Sequence, residues 1–469
     1  MTTTDLWILA PLFILACGSL LVLLTGAIAP GRYGTALGVA IAAAAAGWAL
    51  MSPPATAAPT LGLSFTPFAR YFTILFSLTA DAALLLSGRY NERHGIRSEV
   101  YPATILFATF ALSILGAAAN LLILFLALEA MTFGFYILVA MDLSRPASGE
   151  AGFKYLILGA TAAAFTAFGI ALIYAAAGTL EIGPTLALVT AGGSPLAIAG
   201  WGLLLVGIAF KLSLVPAHLW TPDVYEGAPV PVTAFLSTAS KGAAVVFLLL
   251  VLRAAPDHAF LLMPLRVLSL ASMVVGNLAA LRQRSLTRML AYSAIAQMGY
   301  VALALLAGGP DGYEAAAFYL TAYTLMNLAA FGAIAALAAS GLGTGVDDCR
   351  GLGYRLPLRG AVLAVAMFAL AGIPPTAGFI GKFFIFAAAI RSGEAAVAIP
   401  GIVTAIVSAY YYLRVVVNLY MRPAESSTNS PVEPTGAAEG FCLAVTSIAL
   451  LVLGIYPAPL LDLLHRIVS

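Results

Sequence analysis

All four lysines of this 469-residue chain, Lys154, Lys211, Lys241 and Lys382, stand in apolar runs where a charge is expensive. A charged side chain at the centre of a bilayer costs at least ~2.5–3.5 kcal/mol on insertion scales, so each needs a reason. Lysine can supply one. A buried ammonium gives up its proton far more readily than one in water, whereas arginine stays charged. Nearly every arginine here sits in a polar stretch or near the end of an apolar run. Reserving the titratable cation for the membrane points to handling of protons or another ion. Glu129, in NLLILFLALEAMTFGF, is the matching buried anion. For a single Lys–Glu pair, a structural role that merely pins two helices stays open as the competing reading. Four lysines and one glutamate exceed what one such pair needs.

Two of the lysines lie beside helix-breaking residues. Lys211 is followed by Ser213, Pro216 and His218 in AFKLSLVPAHLW, and Lys382 follows Pro374, Pro375 and Gly378 in LAGIPPTAGFIGKFFIF. Proline removes a backbone bond, and at membrane depth the freed carbonyls survive only beside protein or water. A discontinuous helix with a charge at its break is the transporter pattern for a site near the midplane. His218, seven residues beyond Lys211, would share its face if the helix continued and could relay a proton. A satisfied structural histidine at the break is the alternative. Lys154 lies close to a helix start and could simply snorkel to the interface. Asp81 reads as an interfacial partner of Arg89 or Arg93. Asn277, Tyr292, Ser293, Gln297 and Asn327 are either interhelical glue or supports for a water wire.

These residues need helices to carry them, and the composition supplies little else. The chain is 62% hydrophobic and 9% charged, against about 25% charged in soluble domains. Its net charge of +2 excludes a nucleic-acid binder, which would carry a basic stripe. Cys17, Cys349 and Cys442, like His94, His218, His258 and His465, are scattered. No CxxC or Cys/His cluster implies an iron–sulfur centre, a haem or a zinc site, and no GxGxxG unit suggests a nucleotide. Met1 to Asp5 has no positive region of a signal peptide, so the first run is expected to be a retained helix.

A helix needs roughly 20 apolar residues to span the hydrocarbon core. The apolar runs predict fourteen helices, near 6–28, 33–51, 66–88, 101–118, 120–140, 152–176, 197–217, 229–252, 260–281, 286–306, 313–339, 360–390, 395–421 and 439–457. Helices four and five nearly abut at Asn120. The stretch 422–439 reads as a polar linker. The two breaks, in helices seven and twelve, are five helices apart. That predicts two five-helix halves, helices 4–8 and 9–13, related by an inverted repeat. The division is then an N-terminal three-helix segment (1–100), the two repeats (101–252 and 260–421), and the linker with a last helix (422–469). Loops after odd-numbered helices hold Arg32, Arg89, Arg93, Arg97, Arg145, Arg282, Arg284, Arg288, Arg350, Arg355, Arg359 and Arg422. Those after even-numbered helices hold little beyond Arg253, Arg391 and the terminal Arg466. By the positive-inside rule both termini are expected on the outer, periplasmic side of a bacterial inner membrane.

The block FKLSLVPAHLWTPDVYEGAPVPVTAFLSTASK (Phe210 to Lys241) resembles the antiporter-like membrane subunits of respiratory complex I, the proton-pumping NADH–quinone oxidoreductase. LTRMLAYSAIAQMGY, GIPPTAGFIGKFFIF and the closing GIYPAPLLDL extend the likeness, and point to the subunit N branch. The resemblance covers nearly the whole chain. It implies a helix-five glutamate (Glu129) paired with a helix-seven lysine (Lys211), a central helix-eight lysine (Lys241), a terminal lysine (Lys382) and a helix-six lysine (Lys154). It also implies proton translocation with no cofactor in this chain. NADH, FMN, iron–sulfur clusters and quinone would be handled by other subunits, and subunits M, K and J would be the membrane partners. An Mrp-type cation/proton antiporter subunit, and a structural scaffold whose charges are only ion pairs, remain the competing readings.

Overall fold

Thirteen helices among the described residues are long and apolar enough to cross a bilayer. The computed structural model describes residues 3–31, 33–52, 62–96, 99–190, 193–254, 259–423 and 435–468. Arg32, Arg97, His258 and most of the linker after residue 422 lie outside the described residues. In chain order the helices are α1 (Thr3–Ile28), α2 (Gly34–Met51), α3 (Pro67–His94), α4 (Val100–Ala117), α5 (Leu121–Val139) and α6 (Pro146–Ala177). The seventh is broken into α7a (Pro195–Leu212) and α7b (Trp220–Gly227). Then follow α8 (Val230–Ala254), α9 (Ala259–Ala280), α10 (Leu286–Ala307) and α11 (Gly309–Ala339). The twelfth is again broken, into α12a (Pro357–Ala371) and α12b (Ala377–Arg391), before α13 (Ala395–Met421) and α14 (Ala437–Ile455). No β-strand occurs among the described residues. The protein is therefore an all-α polytopic membrane protein with two discontinuous helices.

Local chemistry sets the boundaries. Asn120 caps α5, its side-chain oxygen accepting from the Ile123 amide at 2.9 Å, so α4 and α5 are separated by only three residues. Pro146 opens α6, where its missing N–H costs nothing, and Gly178 closes it in the left-handed conformation (φ 67°). Three short α-helices among the described residues fall where loops were expected: Ile182–Thr190 follows α6, Leu352–Arg355 precedes α12a, and Ala458–Val468 follows α14. Inside α8, residues Leu236–Ser240 form a π-helical turn immediately before Lys241, a device often found at functional positions.

Contacts divide the chain into two units. The first comprises Met1–Leu84, Ile96–Leu212 and Ala239–Leu265, and the second Leu85–Gly95, Ser213–Thr238 and Arg266–Ser469. Within the first, α6 and α7a are tightly apposed through glycines, as small residues allow in membrane helices. In the second, three arginines act as pins rather than as loop charges. Arg266 of α9 pairs with Glu394 at 2.5 Å. Arg414, in the interior of α13, donates to the Gln283 carbonyl at 2.6 Å. Arg359 is not in a loop: it is buried in the first turn of α12a, 3.5 Å from buried Glu439 at the start of α14. Arg359 therefore leaves the count of loop charges, and so do Arg89 and Arg93 in the last turns of α3 and Arg288 in the first turn of α10.

A Cβ at Gly200 would stand 2.6 Å from the Gly169 carbonyl oxygen, closer than any real contact, whereas Gly202 faces open space. Gly200→Leu should therefore cost roughly 1–3 kcal/mol by overpacking. Its melting temperature in detergent should fall by several degrees, with Gly202→Leu close to the parent. Equal melting temperatures for the two variants would refute this packing.

Candidate functional site

A helix that stops inside a membrane leaves its last carbonyls without intrahelical donors, and lipid offers none. Both half-helices meet this problem, and in both the donor is a lysine. At the end of α7a, Lys241 Nζ donates to the Lys211 carbonyl at 2.9 Å. At the end of α12a, Lys382 Nζ donates to the Leu370 carbonyl at 2.7 Å and to that of Ala371 at 3.3 Å. The ammonium also meets the negative end of the helix dipole there. The residue after the last helical turn is left-handed in each case, Ser213 (φ 62°) after α7a and Gly372 (φ 82°) after α12a. Each break contains a cis prolyl bond, Val215–Pro216 and Pro374–Pro375.

In the first unit, the Lys211 side chain turns from its own helix end towards α5. Its ammonium donates to the Thr132 hydroxyl and lies 3.5 Å from the Glu129 carboxylate. Glu129 and Thr132 are three residues apart on one helix and so present one face. Lys211 and Lys241 are buried, while the Glu129 side chain is 27% exposed. Three charged groups thus converge in one chain of contacts: Glu129, the Lys211 ammonium, and the Lys241 ammonium on the Lys211 carbonyl.

Lys382, in the second unit, is also buried, and its hydrogen bonds among the described residues are to backbone carbonyls. It instead sits in a hydroxyl-rich surrounding. Gln297 donates to the same Leu370 carbonyl at 3.1 Å and to the Tyr412 hydroxyl at 3.1 Å. Tyr319 donates to the Gln297 amide oxygen, and Ser293 bonds Tyr412. Beside this network, Tyr411 donates to Asn277 at 3.0 Å, which donates to the Tyr300 hydroxyl at 2.9 Å. The Lys382 ammonium lies 5.2 Å from the Tyr300 ring centroid, within cation–π reach. On another side Lys382 borders a cavity of about 600 Å³ walled by apolar residues of α12b and α13, Phe383 and Ile406 among them.

The remaining expectations fare unequally. Lys154 pairs with Glu150 one turn earlier at 2.7 Å, with its side chain 42% exposed. His218 cannot share a helical face with Lys211, because helix ends at Leu212 and resumes at Trp220. Asp81 does not sit near a helix end. It lies at the middle of α3, fourteen residues after Pro67 and thirteen before His94. Arg89 and Arg93 are then about 12 and 18 Å further along the axis, too far for an ion pair. The helix continues past residue 88 to His94, so Arg89 and Arg93 stay on its axis instead of folding back towards Asp81. Ser293, Gln297 and Asn277 join the network around Lys382, Asn327 donates to the Tyr323 carbonyl of its own helix, and Tyr292 is only half-buried. The spacing of charges did not signal Thr132, Tyr300, Tyr319, Tyr411 or Tyr412. Among the described residues, no group of three or more His, Cys, Asp or Glu could hold a metal ion.

A family model described as NADH:quinone oxidoreductase/Mrp antiporter, transmembrane, matches residues 118–408. NADH-quinone oxidoreductase subunit N of Geotalea uraniireducens (strain Rf4) is 60% identical over 469 residues, all of both chains. The protein of the same name from Geobacter metallireducens is 60% identical over 99% of each chain. A chain of respiratory complex I from Thermus thermophilus superposes with a TM-score of 0.81 at 35% identity, over 96% of this chain and 98% of that one.

The burial pattern makes a direct prediction about reactivity. A water-soluble amine reagent should modify Lys154 and spare Lys211, Lys241 and Lys382 in the folded protein, with all four reacting after denaturation. Peptide mass spectrometry measures this, and early labelling of Lys241 would contradict the geometry.

Proposed function

Because the chain belongs to the antiporter-like membrane subunit family of NADH–quinone oxidoreductase, we propose that Glu129, Lys211, Lys241 and Lys382 are its proton-transfer residues. The chain is a proton-translocating membrane subunit of a respiratory translocase and works within a multi-subunit complex. The observation that carries the reading is the placement of a lysine ammonium on the exposed carbonyls of each half-helix. A group held by neutral carbonyls can lose its proton and leave no buried counter-charge behind.

In this mechanism, electron transfer from NADH to quinone, with FMN and iron–sulfur clusters, takes place in other subunits. It perturbs the charge state along the membrane, and Glu129 responds. Its carboxylate favours the charged form of Lys211, so its withdrawal favours proton release from Lys211 to Lys241. Lys382, or water beside it, passes a proton outward. Lys154 and His218 take lesser parts, Lys154 at the interface where its pair with Glu150 supports entry rather than storage. Moving one charge against 100 mV requires about 2.3 kcal/mol, and a change of two units in a proton affinity supplies about 2.7 kcal/mol. One ion pair is of sufficient scale.

The same reading gives the chain its surroundings. Subunits M, K and J are the membrane neighbours, and both termini face the periplasm, a placement supported by the arginine asymmetry of the loops. The fold comprises an N-terminal segment (1–100), inverted five-helix repeats (101–252 and 260–421) and a C-terminal part (422–469). The two breaks five helices apart, each served by a lysine, support the repeat. The family description also covers Mrp antiporters. Full-length relatives at 60% identity that bear the quinone oxidoreductase name favour the respiratory reading.

Replacing both Lys211 and Lys241 with alanine should leave an assembled complex whose NADH-driven proton pumping into vesicles is abolished. Lys211→Arg should assemble and also stall, because the guanidinium holds its proton. Normal pumping by the assembled double variant would return the charges to a purely structural role.

A further inference from the structure

The Glu129 carboxylate is loosely held for an ion inside a membrane. It stands 3.5 Å from the Lys211 ammonium, against about 2.7–2.9 Å for a charge-assisted bond. The close partner of that ammonium is the Thr132 hydroxyl. The Glu129 side chain is 27% exposed, so packing leaves it room to turn. One phenol on the same face of α5 is placed to receive it. Tyr136 follows Glu129 by seven residues, roughly 20° short of two full turns. Its hydroxyl is buried and has no hydrogen-bond partner among the described residues.

Two helix registers put this hydroxyl at the level of the ion pair. Where α5 and α6 run antiparallel, a Cβ at Gly152 would stand 2.6 Å from that of Ala140. Seven residues further along α6, Gly159 is therefore level with position 133 of α5. A Cβ at Gly159 would overlap the Tyr136 hydroxyl oxygen. The ring thus leans back one turn towards Glu129, as long side chains on a helix do. Four residues at about 1.5 Å each leave roughly 6 Å along the axis between this level and Glu129. The second register runs between α6 and α7a. A Cβ at Gly207 would overlap the Thr166 hydroxyl and stand 3.2 Å from the Ala162 carbonyl oxygen. One turn on along α7a, Lys211 is level with Gly159 as well. The ring of Tyr155 packs edge-on against that of Tyr136, centroids 5.1 Å apart, and holds the phenol in place. Tyr136 and Glu129 are within electrostatic reach of each other.

We propose that Tyr136 is a positioning residue that receives the Glu129 carboxylate when it leaves Lys211, which makes the ion pair a switch with two seats on one face of α5. In the first seat the carboxylate faces the Lys211 ammonium. In the second it accepts from the Tyr136 O–H, while Lys211 releases its proton to Lys241. The phenol keeps its proton and the carboxylate its charge, so only the lysine discharges. Without a second seat, the departing carboxylate would be an uncompensated ion at membrane depth. The switch rests on the assignment of Glu129 and Lys211 as proton-transfer residues.

The test uses the assembled complex in vesicles. Tyr136→Phe removes only the hydroxyl, and NADH-driven pumping should fall several-fold. Fluorotyrosine inserted at position 136 keeps the donor and should restore pumping. Infrared difference spectra recorded on NADH addition read the carboxylate itself. The band assigned to Glu129 by its loss in Glu129→Gln should shift in the parent and stay fixed in Tyr136→Phe, whereas a merely structural role would leave the shift intact. Gly159→Ala pushes the hydroxyl from its place with Tyr136 retained, and should slow pumping likewise, so the test holds even where Tyr136→Phe does not assemble. Parent-level pumping in Tyr136→Phe or in Gly159→Ala, no recovery with fluorotyrosine, or an unchanged infrared shift in Tyr136→Phe overturns the switch. Glu129→Gln serves as the reference. If it pumps normally, the assignment of Glu129 fails; if it stalls while Tyr136→Phe does not, only the switch fails.

Discussion

The constraint on which this structure depends is the fate of backbone carbonyls where a helix stops inside the membrane. Water would satisfy them at a surface, but lipid cannot. In this protein the ends of α7a and α12a are satisfied by the ammonium groups of Lys241 and Lys382. The same contacts make two otherwise costly ions tolerable, since each gains carbonyl dipoles and the negative end of a helix. Break and lysine therefore solve each other's problem. Removing either leaves the other buried without its partner.

The two solutions differ in a way that bears on their work. Lys241 reaches the end of a neighbouring helix, and the carbonyl it holds belongs to the very residue whose ammonium faces Glu129. A change at Glu129 is thus one side chain and one peptide from Lys241. Lys382 caps the half-helix that precedes its own, and its surroundings are amide and phenol groups. Neutral partners of this kind neither hold nor repel a proton strongly, and hydroxyls can both donate and accept one. One lysine group is built around the carboxylate of Glu129, the other around a network of amide and phenol groups.

Most of this frame was legible in the residues. Runs of apolar side chains show the spans because twenty such residues have few other places to go, and Pro216, Pro374 and Pro375 show the breaks because proline cannot complete the ladder. Lys211, Lys241 and Lys382 were visible as charges out of place, and Glu129 as their counterpart. Other features were hidden for physical reasons. Tyr300, Tyr319, Tyr411 and Tyr412 are counted with the hydrophobic residues in the composition, although their hydroxyls build the surroundings of Lys382. The carbonyls that receive the lysines are backbone atoms, present in every residue and marked in none. Asp81 was misplaced because α3 continues past its apolar stretch to His94, where polar residues at the headgroup level prolong the helix. Arg359 looked like a loop charge because nothing local reveals that Glu439 waits some eighty residues later.

The choice of lysine over arginine at these ends follows from the same physics. A guanidinium would cap the carbonyls with more donors, and Arg414 does so for the turn that follows α9. It would also stay charged under all conditions. A lysine amine that has lost its proton retains two N–H donors, so it can still hold a carbonyl while neutral. The half-helix end remains capped in both states, and only the charge changes. Capping and proton release are then compatible at a single atom, which arginine does not permit. Arginine accordingly appears where the helices are pinned, and lysine at the pins whose charge the proposed proton transfer requires to change.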